Sequence, residues 1–161
     1  MSDVQEFEFD LMIALPVGER DEDAMLDALF EAGCDDAIVG TGAAGIVSLG
    51  FIREGSDAEA VIAKAVGQAL KGLPEGACLR EVRPDLVSLA DVAARLQVSR
   101  QALQKRDMPP PSLGGLYRVT EMVRYLEGQP GKIRDGVSRA APWFAAAPAA
   151  QKINAQLGLS D

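Results

Sequence analysis

Phe7, Phe9, Leu11, Ile13 and Leu15 alternate with Glu8, Asp10, Met12 and Ala14. A period of two predicts a strand with one buried face, and Pro16-Val17-Gly18 ends it. From Asp21 to Ala32 the spacing becomes helical, with Met25, Leu26, Leu29 and Phe30 inward. Acidic residues crowd the first turn, where the helix dipole favours them, and Gly33 suits the C-terminal end. Ala37-Ile38-Val39 and the run from Ile46 to Phe51 predict two strands joined by a glycine-rich connection. Ser56-Asp57-Ala58-Glu59 has the form of a capping box. It opens a helix that buries Ala58, Val61, Ile62, Ala65, Val66, Ala69 and Leu70, and residues 77–83 supply a last short strand.

The order β-α-β-β-α-β predicts an α+β class and resembles the ferredoxin-like fold, in which two helices cover one face of a four-stranded antiparallel sheet. Gly40-Thr41-Gly42-Ala43-Ala44-Gly45 matches the dinucleotide-binding pattern letter for letter. That chemistry needs the loop to open a helix whose N-terminus meets the pyrophosphate. Strand-forming Ile46-Val47-Ser48-Leu49 follows instead, so the match reads as a hairpin loop.

Beyond residue 87 the pattern changes. Leu89, Val92, Ala93 and Leu96 form one helical face, and Val98, Ala102 and Leu103 a second after a short break. Ser99 stands where the second helix needs an N-cap, small Ala93 lets the helices approach, and Val98 plugs the corner. Gln97 occupies the turn, a place that favours glycine because φ is positive there, at a cost of about 1 kcal/mol. The polar face of the second helix carries Arg100, Gln101, Gln104, Lys105 and Arg106. Such side chains bond phosphates and the edges of guanine and adenine, so the segment predicts a DNA-binding helix-turn-helix. A plain helical hairpin with a solvated charged face has the same composition; spacing, cap and corner residue favour the first reading.

Pro109-Pro110-Pro111 stops this helix. Gly114-Gly115 signals a tight hairpin, Leu116-Tyr117-Arg118 the returning strand, and Thr120 the cap of a third helix, Glu121 to Glu127, with Met122, Val123 and Leu126 inward. Val87 to Ala93, Val98 to Leu103, the proline bend and Leu116-Tyr117-Arg118 together resemble the winged helix-turn-helix of excisionase-like and mercury-resistance-regulator (MerR) type DNA-binding proteins. The resemblance is sharp over residues 87–127. It implies that Ser99, Arg100, Gln101, Gln104 and Lys105 face DNA, with Tyr117 and Arg118 at the wing. By their own chemistry, Tyr117 is expected to pack under the wing and Arg118 to contact phosphate, while Arg95 and Arg124 pair with Asp91, Glu121 or Glu127 or stay solvated. The long coiled-coil helix and effector domain of such regulators are missing, so metal or drug sensing does not transfer.

Charge supports this division. The chain of 161 residues has a net charge of −8, but residues 1–87 hold 18 acidic and 6 basic side chains, a net −12, and residues 88–161 a net +4. DNA affinity depends on the local field, which salt screens beyond about 8 Å, so the acidic half need not abolish it. Histidine is absent and the only cysteines, Cys34 and Cys78, are far apart, which removes the usual nucleophilic triads and zinc sites; both thiols are expected to be buried. No enzyme, metal or cofactor is expected. An acidic N-terminus and the lack of an apolar run long enough for a bilayer predict a cytoplasmic protein.

The expected organisation is an acidic domain over residues 1–86, a winged helix-turn-helix over 87–128 and a Pro/Ala-rich tail over 129–161 with a short helix from Gln151 to Leu157. Lys132, Arg134 and Arg139 make the tail basic enough to follow a phosphate backbone, and Trp143 and Phe144 could anchor a partner or fold back on the chain. The function expected is sequence-specific binding of duplex DNA by a homodimer, paired through the acidic domain or the tail. The rival is a protein-interaction adaptor using Trp143 and Phe144, with the helix pair merely structural.

Overall fold

Phe7, Phe9, Leu11 and Ile13 lie on one face of strand β1 (Gln5–Ala14) and all are buried. The computed structural model describes residues 3–18, 20–41, 44–105 and 108–158. In it β1 is a central strand of a four-stranded antiparallel sheet, ordered β2-β3-β1-β4, with β2 at Ile38–Gly40, β3 at Ile46–Gly55 and β4 at Cys78–Arg83. Pairing of β1 with β3 runs unbroken from Gln5 opposite Gly55 to Ala14 opposite Ile46, which sets Phe9 against Phe51 with ring centroids 5.4 Å apart. The alternating pattern fixes that register, because a slip of one residue would turn the four apolar side chains outward.

Helices α1 (Glu22–Leu29) and α2 (Ala58–Gly72) close over this face, burying Met25 and Leu29 from the first and Ile62, Ala65 and Ala69 from the second. Two local expectations change. A π-helical turn, Phe30–Cys34, follows α1 and adds a residue to the turn. Upstream of it the buried stripe of α1 is Met25 and Leu29, one residue and about 100° round the helix from Leu26 and Phe30, so Phe30 is 64% exposed and Leu26 also faces outward rather than inward. Asp57, not Ser56, caps α2, accepting from the Glu59 amide. Gly40 ends β2 and Ile46 begins β3, so the glycine-rich stretch links antiparallel strands and opens no helix; Gly42 and Ala43 lie outside the described residues. Cys34 is buried, and burial pushes its thiol up. Cys78 is exposed, contrary to expectation, because it pairs with Ala14 on the sheet's uncovered face.

The second core gathers around α3 (Leu89–Leu96), α4 (Arg100–Gln104) and α5 (Val119–Glu127). A two-stranded sheet of β5 (Leu86–Val87) and β6 (Tyr117–Arg118) closes its base. Arg118 precedes α5 as its cap residue; Thr120 lies inside the helix and its hydroxyl donates to Gln151 Oε1 at 2.6 Å, so it is no cap.

The expected tail is the largest departure. Residues after 131 form α6 (Lys132–Arg139) and α7 (Ala141–Leu157). Alanine is the strongest helix former, and Pro142 sits in the first turn where its missing N–H costs nothing. Helix α7 serves both cores. Trp143, Phe144 and Ala147 belong to the second, and Ala146, Ala149 and Ala150 to the first. Near its end the Asn154 side chain accepts from the Val82 amide at 2.7 Å and donates to the Val82 carbonyl at 2.7 Å, closing the outer edge of β4. The chain is therefore an α+β protein with seven α-helices among the described residues, none long and apolar enough to cross a membrane.

Candidate nucleic-acid interface

Helix α3 begins with a reciprocal cap: Ser88 Oγ accepts from the Asp91 amide at 3.0 Å, and the Asp91 carboxylate accepts from the Ser88 amide at 3.1 Å. It ends at Gln97, whose φ of 58° is left-handed. The Gln97 amide donates to Ala94 O at 3.2 Å and the Val98 amide to Ala93 O at 3.0 Å, the bond pattern of a Schellman turn. Glutamine holds the place usually given to glycine. Val98 packs on the second core and Ser99 caps α4, its hydroxyl accepting from the Ala102 amide at 3.1 Å. The Gln97 turn, the Val98 corner and the Ser99 cap were legible in the sequence because each is settled within a few residues, whereas the cap at Ser88 was not read there.

Leu103 anchors α4, and Arg100, Gln101, Gln104 and Lys105 share the opposite, exposed face. Helix α4 is only five residues long, with Lys105 as its terminal cap. Arg106 lies outside the described residues. The hairpin beyond the prolines is minimal. Gly114 and Gly115 have φ of 57° and 77°, the positive pair of a type I′ turn, and Leu113 bridges Leu116 across it. A cleft of about 650 Å³ lies between the start of α3, Arg100 and Gln104 of α4, and Gly115 and Tyr117. Tyr117 is half-buried against the second core, as its own chemistry suggested.

Not every expected contact is available. Arg118 donates to the Asp85 carboxylate at 3.2 Å, and that carboxylate, 7% exposed overall, also accepts from Asn154 Nδ2 at 3.0 Å. Arg118 thus joins β6 to the connection between the two cores and is committed away from phosphate. Arg95 pairs with neither Asp91 nor a residue of α5. Its guanidinium donates to Glu8 at 2.6 Å and lies 5.0 Å over the Trp143 ring. The expected partner anchor is corrected as well. Trp143 is 5% and Phe144 8% exposed, packed edge to face at 5.1 Å inside the chain's own core.

The cations of the second half therefore sort by side. Arg95, Arg118 and Lys152 reach the acidic half through Glu8, Asp85 and Glu59. Among the described residues Arg100, Lys105, Arg124, Lys132, Arg134 and Arg139 are exposed and form no ion pair, Arg139 donating instead to the Leu96 carbonyl. Lys132 was assigned to a loose tail by sequence, yet it stands beside the α3–α4 turn, where Ser99, Ala102, Gly131 and Lys132 line one cleft. The glycine-proline turn at residues 128–131 was visible; the helix behind it that sets Lys132 there was not. Among the described residues no cluster of histidine, cysteine or carboxylate groups could hold a metal ion. The chain matches no family model, no curated protein and no solved structure.

Proposed function

We propose that this protein is a cytoplasmic, dimeric regulator that binds duplex DNA through α4. In this reading residues 1–86 form a ferredoxin-like domain, and the unit from β5 through α5 is a winged helix-turn-helix of the excisionase and mercury-resistance-regulator type, with no catalytic step. One observation carries the reading: Arg100, Gln101, Gln104 and Lys105 share the exposed face of a helix held by Ser99 and Leu103, and neither cation among them is ion-paired with another described residue. A protein gains little stability from leaving guanidinium, ammonium and amide groups on one solvated face, whereas duplex DNA offers acceptors and phosphates to all four. Lys132 extends the positive face past the turn and Tyr117 and Gly115 border it on the hairpin side.

Dimerisation is assigned to the acidic domain. The edge of β4 is closed by Asn154, while β2 is an open edge with Ile38 81% exposed beside Ile52. Two linked heads engage two half-sites at raised effective concentration. The adaptor reading loses its anchor with the burial of Trp143 and Phe144.

Replacing both Arg100 and Lys105 with alanine is expected to weaken duplex binding at every salt concentration. The slope of log affinity against log salt should flatten by between about one and two, since each phosphate neutralised contributes roughly 0.9. Fluorescence anisotropy of a labelled duplex, titrated across salt, reads both quantities. Affinity and slope equal to those of the unaltered protein would remove α4 from the interface.

A further inference from the structure

The turn that aims α4 is held from behind by α6, whose first residue, Lys132, is the only one assigned to the positive face. Gly136 of α6 sits so close to the end of α3 that a Cβ there would lie 2.6 Å from the Leu96 carbonyl oxygen and 3.0 Å from the Leu96 side chain. One turn further, Arg139 Nη2 donates to that same carbonyl oxygen at 3.1 Å. Ile133 is buried in the second core and, with Lys132 and Gly131, lines the cleft beside Gln97 and Ser99. Helix α6 thus runs along the whole corner from Leu96 to Ala102. The corner needs such support, because Gln97 holds a left-handed conformation that costs a residue with a side chain about 1 kcal/mol relative to glycine.

We propose that Arg139 is a positioning residue for DNA recognition: its guanidinium fixes the Leu96 carbonyl and Gly136 allows the approach, so that α6 sets the direction in which α4 leaves the turn. The proposal rests on the DNA-binding reading but has a readout of its own. It also takes Arg139 off the list of phosphate contacts. A cation that touches phosphate contributes to the salt slope, whereas one engaged with a backbone carbonyl of its own chain contributes to affinity alone.

The test compares the full chain with its Arg139→Gln and Arg139→Lys forms in two experiments. Duplex titration across salt should show Arg139→Gln binding about tenfold more weakly with an unchanged slope, the loss expected when roughly a tenth of the molecules keep the competent turn. Arg139→Lys, which can still donate to Leu96, should retain most of the affinity, and adding Gln97→Gly to Arg139→Gln should restore part of it by relieving the left-handed residue. Amide hydrogen exchange without DNA should show the Gln97 and Val98 amides losing most of their protection in Arg139→Gln while the amides of β1 and β3 keep theirs. A slope lower by about 0.9 with the turn amides still protected would make Arg139 a phosphate contact and overturn the proposal. Unchanged affinity and unchanged exchange would overturn it too. Should the unaltered protein bind no duplex, the DNA reading falls, and the exchange experiment still decides whether Arg139 holds the turn.

Discussion

Replacing Trp143 with alanine is expected to destabilise the protein by about 3–5 kcal/mol, the range for removing a buried tryptophan. Three interactions are lost at once. The indole fills the second core beside Phe144, meets that ring edge to face at 5.1 Å, and supplies the surface on which the Arg95 guanidinium rests at 5.0 Å. An aromatic pair of this geometry adds roughly 0.5–1.5 kcal/mol beyond its buried area. Arg95 also bonds Glu8 at 2.6 Å, so the cavity loosens a contact that joins α3 to β1. Because α7 continues from Trp143 into the first core through Ala146, Ala149 and Ala150, the loss should reach both halves. Urea denaturation followed by far-ultraviolet circular dichroism measures it, with the lower midpoint as the expected result. A change under about 1 kcal/mol, typical of a surface substitution, would mean that Trp143 is not a core residue.

Asp85→Ala is the second large effect, expected at about 3 kcal/mol, near the lower limit for breaking a buried charge pair. The Asp85 carboxylate accepts from Arg118 on β6 and Asn154 on α7, and its backbone carbonyl accepts from the Val119 amide at 2.9 Å. One residue between β4 and β5 therefore ties three segments together. The Arg118 side chain is 32% exposed, so water recovers part of its lost pairing and the cost stays below the upper limit. Asp85→Asn keeps an acceptor for one of the two donors and should cost less than the alanine change. The same denaturation experiment separates them, and equal stability of all three proteins would show that the junction contributes nothing.

What the sequence made legible was local. Alternation in β1 announced its buried face, and Ser99, Val98 and Leu103 announced the corner and the anchored face of α4, because caps and periodicity act over a few residues. Phe30 and Leu26 were misread because the helix turns a narrower stripe, Met25 and Leu29, to the core than the run of apolar residues suggests. The ion pairs were misread for a different reason. Arg118 finds Asp85, 33 residues earlier, and Arg95 finds Glu8, 87 residues earlier; spacing along the chain carries no information about such meetings. The tail failed on composition. Ala140 to Pro148 reads as a Pro/Ala-rich tail without a helix, yet alanine favours helix, Pro142 is harmless at the start, and Pro148 lies exposed inside α7 where the surrounding packing outweighs its missing hydrogen bond. The two cores that receive Trp143 and Ala150 add the long-range packing that fixes that segment as a helix.

The residues proposed for the interface were easier to place from sequence than the fold's long-range joints. Its residues sit on one short helix whose cap, anchor and exposed face are all settled between Ser99 and Lys105. The differences fell at its margins, where Arg118 is taken by Asp85 and Lys132, expected on a loose tail, stands on α6 beside the turn.

Selection of duplexes from a random-sequence pool by the full chain at low salt tests the central claim most directly. The account predicts enrichment of a defined motif, arranged as two half-sites for a dimer, and its loss when Arg100, Gln101, Gln104 and Lys105 are all replaced by alanine. A pool that emerges unenriched, or an enrichment that the four replacements leave intact, would contradict it.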